Sequence, residues 1–191
     1  MISWFIIILL SINQAQVVPQ ENAEIEFKHS EEVQNDLIEV RSSISTAGQA
    51  DVSQFPTVKL GTNYPTRTFA LNPSSATGTL QTSDQYNITI TNQTASLDTG
   101  TTENVSTRFL QYQPGYNELD ADPIWYEHSV LYIDAREQGG VAILEDQDLV
   151  TSEGSAVRIT ALQNEYRERG TGRVTIELYP TQTTNADAIP T

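Results

Sequence analysis

The N-terminal run limits most strongly how this chain can fold. Between Met1 and Ile12 the only polar residues are Ser3 and Ser11, and no later segment is comparably apolar. Side chains such as Trp4, Phe5 and Ile6 must be covered by lipid, by a partner or by the protein's own core. Twelve helical residues reach roughly 18 Å. The hydrocarbon core of a bilayer is about 30 Å and takes around 20 residues to cross. The length suits the apolar region of a secretory signal, about 7–15 residues. Yet the first basic residue is Lys28, and Asn13 stands where a cleavage site wants a small side chain. Three readings stay open: a signal without its basic start, a membrane helix whose first part precedes this reading frame, or a buried core segment. The first two place the rest of the chain outside the cytoplasm. Residues 1–18 are expected to form this apolar membrane or signal segment.

Everything after Pro19 is polar and acidic. The 25 acidic and 10 basic residues leave a formal charge of −15, and only Lys28 and Lys59 are lysines. Nucleic acid is excluded as a partner class, because its recognition depends on Lys and Arg neutralising phosphates. Self-repulsion of this size opposes compaction in dilute buffer, and halophiles exploit it for solubility in brine. Molar salt shortens the Debye length to about 3 Å and removes the repulsion. Scarce lysine, excess carboxylate and 23 threonines therefore read as salt adaptation, against the plainer alternative of an acidic secreted domain. The chain has no cysteine, which excludes thiol catalysis, zinc–thiolate sites and iron–sulfur clusters.

Residues 19–48 read as a hinge followed by an amphipathic helix. Gln20, Glu21 and Asn22 form the polar hinge, and the alternation over residues 23–28 suggests a short strand. Ser30 offers a helix N-cap with Glu31 and Glu32 in the first turn. Val33, Leu37, Val40 and Ile44 then recur at helical spacing, with Ile38 beside them, so a helix is expected over residues 30–46. Ala47 and Gly48 end it. From residue 49 to 180 helical periodicity is gone. Nine runs favour strands: 57–60, 67–71, 78–82, 86–91, 107–113, 124–133, 140–145, 156–163 and 172–179. Turn residues such as Asn72-Pro73, Pro114-Gly115, Gly139-Gly140 and Gly170-Thr171-Gly172 separate them. The expected class is mainly β: an apolar N-terminal helix and an amphipathic helix, then an antiparallel β-sandwich of about nine strands. Residues 181–191 read as a flexible tail.

Few residues carry a chemical pattern. Asn87-Ile88-Thr89, Asn92-Gln93-Thr94 and Asn104-Val105-Ser106 are Asn-x-Ser/Thr triplets, making Asn87, Asn92 and Asn104 glycosylation candidates if the body is translocated. Asn72 does not qualify, because Pro73 follows it. The bland alternative is strand threonine and turn asparagine. His29 and His128 are too far apart in sequence to be a ligand pair. His128 reads as a polar residue on a half-buried strand, with Glu127 pointing to the opposite face. Asp120, Asp122 and the run Glu145, Asp146, Asp148 could offer oxygen to calcium, but neither follows the twelve-residue calcium loop, and solvated turns are the default. No catalytic residue, cofactor or metal ligand is expected. Tyr112, Tyr116 and Trp125 could form an exposed binding surface for glycan or protein; the competing expectation is that they fill the core.

Several of these passages resemble haloarchaeal pilin-like surface proteins, of the type IV pilin and archaellin N-terminal kind. The resemblance rests on residues 18–27, on Val33-Gln34-Asn35-Asp36-Leu37 with Arg41, on Tyr112-Gln113-Pro114-Gly115-Tyr116-Asn117, and on Ser129-Val130-Leu131-Tyr132. It implies secretion, anchoring or assembly through an apolar N-terminal helix, a β-rich extracellular region and no known catalysis. The basic residues and cleavage motif of such proteins are missing ahead of the apolar run. The resulting expectation is a non-enzymatic surface protein of a halophilic archaeon. It would be held at the membrane through its N-terminal helix or in contact with copies of itself or related subunits. A glycan- or protein-binding adhesin and a secreted hydrolase built on carboxylates or His128 are the alternatives.

Overall fold

A computed structural model describes residues 2–68, 70–91, 102–150 and 157–181. It is mainly β, with antiparallel sheets and a long N-terminal helix. The helix starts with α1 (Ile2–Ile12), passes through one π-helical turn (Asn13–Val17), and continues as α2 (Val18–Ala50). Asp51 closes it in the left-handed conformation, φ 53°.

The expected hinge and short strand over residues 20–28 are instead helical turns of α2. The physical reason lies in the buried stripe. Its members are Val18, Asn22, Glu26, His29, Val33, Leu37, Val40, Ile44 and Ala47. They recur every three or four residues without a break, as one helix face requires. The first half of the stripe is polar, so hydrophobicity shows the period only from Val33 onward. Pro19 lies just past the π-helical turn, and a proline without an N–H interrupts the regular helical ladder there. A Glu24–Lys28 ion pair at 2.8 Å adds an i, i+4 contact on the wet face.

Ten strands are described. They are β1 (Thr57–Lys59), β2 (Thr77–Thr82), β3 (Tyr86–Thr91), β4 (Thr102–Thr107), β5 (Leu110–Gly115), β6 (Ile124–Glu127), β7 (Val130–Ala135), β8 (Gly140–Glu145), β9 (Arg167–Gly170) and β10 (Arg173–Thr175). Six form one antiparallel sheet in the order β8-β7-β6-β5-β2-β9, while β1–β10 and β3–β4 are two-stranded ribbons. The run expected as one strand over 124–133 is two strands joined by a tight turn. His128 and Ser129 carry φ of 45° and 74°, the paired positive values of a two-residue hairpin. His128 therefore sits at a hairpin tip, not on a strand. The expected strand over 156–163 is reduced, within its described part, to single bridges at Val157 and Leu162.

One face of the six-stranded sheet carries Leu80, Leu110, Tyr112, Ile124, Tyr126 and Leu131, all buried. They pack with Val33, Leu37, Val40 and Ile44 of α2 and with Val58, Leu60 and Ile176 from the β1–β10 side. Burying each such side chain is worth about 1.5–3 kcal/mol. The helix thus takes the place on this face that a second full sheet would hold in a simple sandwich. Gly78 permits the closest approach: a Cβ there would collide with the Leu60 carbonyl and the Tyr112 ring.

Candidate functional site: an apolar arm on a polar clamp

The helix leaves the body at Gln14. Its side chain makes a two-way bond with Leu71, Nε2 donating to the carbonyl and Oε1 accepting the amide, each at 2.8 Å. Beyond that point α1 exposes apolar side chains in every direction: Trp4 is 74 % exposed, Phe5 71 %, Leu9 64 %, and Ile6, Ile7 and Ile8 just over half. An amphipathic helix would show one wet stripe and one apolar stripe; this one is apolar all round. Leu71, 83 % exposed, adds an apolar side chain at the base of the arm. No described helix is long and apolar enough to cross a membrane.

Below the arm lies a clamp built from the polar half of the α2 stripe. Glu26 is fully buried. Its carboxylate accepts the backbone N–H groups of Asn117, Glu118 and Leu119 at 2.8, 2.9 and 2.7 Å, and the Tyr64 hydroxyl donates to it as well. Three successive amides around one carboxylate form an anion cradle, here filled by the chain itself. Burial pushes the Tyr64 hydroxyl above its ordinary value, so it stays protonated and donating. One turn on, His29 bridges Tyr116 Oη at Nδ1 (2.7 Å) and the Lys59 carbonyl at Nε2 (3.1 Å). A neutral ring with its proton on Nε2 satisfies both contacts. Burial, then the Lys59 ammonium, holds the His29 pKa below the usual histidine value, while Glu32 and Asp36 pull the other way. Burial pushes the Tyr116 hydroxyl up to about 12. Asn22 is fully buried with neither amide atom bonded.

Charges fasten the outer side of the clamp. Glu21 binds Arg67 at 2.9 Å, and Arg67 also donates to Asn72. Glu32 and Asp36 receive Lys59 and Arg173 from the β1–β10 ribbon. Further down, Arg41 donates to the Ser129 and Asp146 carbonyls. Helix and sheet are therefore tied together at three heights along α2.

The expected site residues disperse across this framework. Tyr112 lies in the core, its hydroxyl donating to the Leu60 carbonyl. Tyr116 is half-buried against His29. Trp125 is half-buried on the opposite sheet face, because Tyr112 pairs with Ile124 and Trp125 with Gln111. The three do not share a surface. Asn87 and Asn104 are exposed on the β3–β4 ribbon, and Asn92 lies outside the described residues. His128, Ser129, Asp148 and Arg158 border a shallow cleft whose 20 Å³ of free space suits a single water. Among the described residues no three His, Cys, Asp or Glu side chains gather as a metal site would require. The clamp residues Asn22 and Glu26 went unread in the sequence. Their signal was the 3.6-residue spacing back from Val33, hidden because the residues at those positions are polar.

No family model matches the chain, and no solved structure matches it. A protein of Archaeoglobus fulgidus described only as uncharacterized is 28 % identical over 127 residues, covering 64 % of this chain. That stretch is 22 % of the relative, so the chain spans about a fifth of its length.

Proposed function

We propose that this chain is a non-enzymatic, extracytoplasmic surface protein of the haloarchaeal pilin-like kind, held at a membrane or in a filament by its N-terminal helix. The observation that carries the reading is the α1 arm. It is apolar on all sides, stands clear of the core and is continuous with a helix that is clamped to the body. Six large apolar side chains left in water would be strongly unfavourable at about 25 cal/mol per Å², so a lipid surface or a bundle of like helices must cover them. The apolar arm fits insertion into lipid or side-by-side packing with neighbouring copies. A body carrying surplus carboxylate suits brine. The six-stranded sheet and the β1–β10 ribbon share one core with α2, which supports a sandwich-like body with the helix within it.

The test uses the full chain produced in a halophilic archaeal host. Expected is protein in the membrane or filament fraction, with its body cleaved by protease added to intact cells. A variant lacking residues 2–12 should appear as folded soluble protein in the same host. A full chain found in the cytosol and protected from external protease would overturn the reading.

A further inference from the structure

The β3–β4 ribbon brings two of the Asn-x-Ser/Thr triplets together. In its antiparallel register Asn87 lies opposite Ser106, and Thr89 opposite Asn104. Residues directly across an antiparallel pair share a face, as do residues two apart along a strand. Both asparagines and both hydroxyls therefore stand on a single face, with Asn87 and Asn104 diagonal neighbours at about 7–8 Å. Asn87, Thr89 and Asn104 are exposed. Thr89 Oγ1 donates to Asn104 Oδ1 at 2.9 Å. Among the described residues neither asparagine Nδ2 has a hydrogen-bond partner. No ribbon side chain among the described residues belongs to the hydrophobic core cluster.

We propose that Asn87 and Asn104 form a paired N-glycosylation site that displays two glycans side by side on one face of the ribbon. The inference rests on the extracytoplasmic placement argued above. The co-reactant is an oligosaccharide carried on a lipid phosphate. Each asparagine Nδ2 attacks the anomeric carbon. The new C–N bond forms as the anomeric C–O bond to phosphate breaks, the lipid phosphate leaves with the electron pair, and the amide proton passes to a base of the transferase. The hydroxyl two residues on, which the triplet demands, is supplied by Thr89 for Asn87 and by Ser106 for Asn104. Two polar glycans here would add hydration to a ribbon whose paired strands lie outside the main sheet.

The test follows glycan mass on the full chain in a host that N-glycosylates its secreted proteins, with and without an appended secretory signal. Peptide mapping reads Asn87 and Asn104 separately from Asn92. Expected is a glycan on each of the two. N87Q and N104Q should each lose one, the double variant both, and T89A only the one on Asn87. An exported chain with Asn87 and Asn104 bare, beside an occupied control glycoprotein, overturns the inference, as does a glycan on Asn92 alone. The appended-signal form keeps the two ideas apart. Glycan on that form, with the body of the unmodified chain retained inside the cell, overturns the surface-protein reading while showing the ribbon to be an acceptor.

Discussion

Glu26 is fully buried and accepts four hydrogen bonds. A buried carboxyl group is tolerated only where partners satisfy it, and here three amides and a phenol do so. Glu26→Ala would leave those amides buried without an acceptor. The expected loss is about 3 kcal/mol, read as a lower urea midpoint at fixed salt. Glu26→Gln keeps one oxygen acceptor and should lose less. His29 makes a pH-dependent contribution. The unfolded imidazole titrates near 6.5, and in the fold its pKa is lower. The unfolded chain therefore binds more protons as acid is added, so this contribution is whole above about pH 6.5 and is lost as pH falls below it. Urea midpoints measured from pH 7.5 down to 5 should drop for the native chain. The drop should be shallower in His29→Gln, which cannot titrate; an identical slope would show that His29 is not the group responsible.

At the scale of elements, α2 does two jobs with one stripe. From Val33 to Ile44 it supplies apolar packing against Leu80, Tyr112 and Tyr126. From Glu26 to His29 it supplies hydrogen bonds to Tyr64, to residues 116–119 and to the Lys59 carbonyl. Leu37→Ala, at 2 % exposure in the centre of the core, should cost about 2–5 kcal/mol. Thermal or urea unfolding checks this, and a loss under 1 kcal/mol would mean that the helix is not the lid of the sheet. Strand periodicity was legible where apolar and polar residues alternate along the chain. The β3 run and the β10 run alternate plainly in sequence. The β6–β7 turn was not legible, because His128-Ser129 lacks the Asn-Gly or Asp-Gly pair that marks a two-residue hairpin turn.

For the molecule as a whole, charge and the arm set the behaviour. With a formal charge of −15, the compact state is opposed by its own field, and salt screens that field. Raising potassium chloride from 0.1 M to 2 M should raise the urea midpoint; a flat response would remove salt adaptation from the account. Deleting residues 2–12 should leave that midpoint nearly unchanged, because among the described residues the outermost hydrogen bond between arm and body is at Gln14. The same deletion should abolish flotation with lipid vesicles or self-association of the full chain.

The mainly β class, the apolar N-terminus, the amphipathic stretch from Val33 to Ile44 and the acidic body are all readable along the chain. Each of these is written in residue type and local period, which the chain carries whatever its partners. The tertiary structure alone decided that helix replaces hinge over residues 20–28, that Glu26 and His29 are interior groups, and that Tyr112 and Trp125 face opposite ways. Those outcomes depend on what lies across from each residue. Glu26 and His29 join the buried stripe because distant segments bring them donors and acceptors, and strand register between remote segments is invisible in the segments taken singly. The pairing of Asn87 with Ser106 and of Asn104 with Thr89 belongs to that second kind.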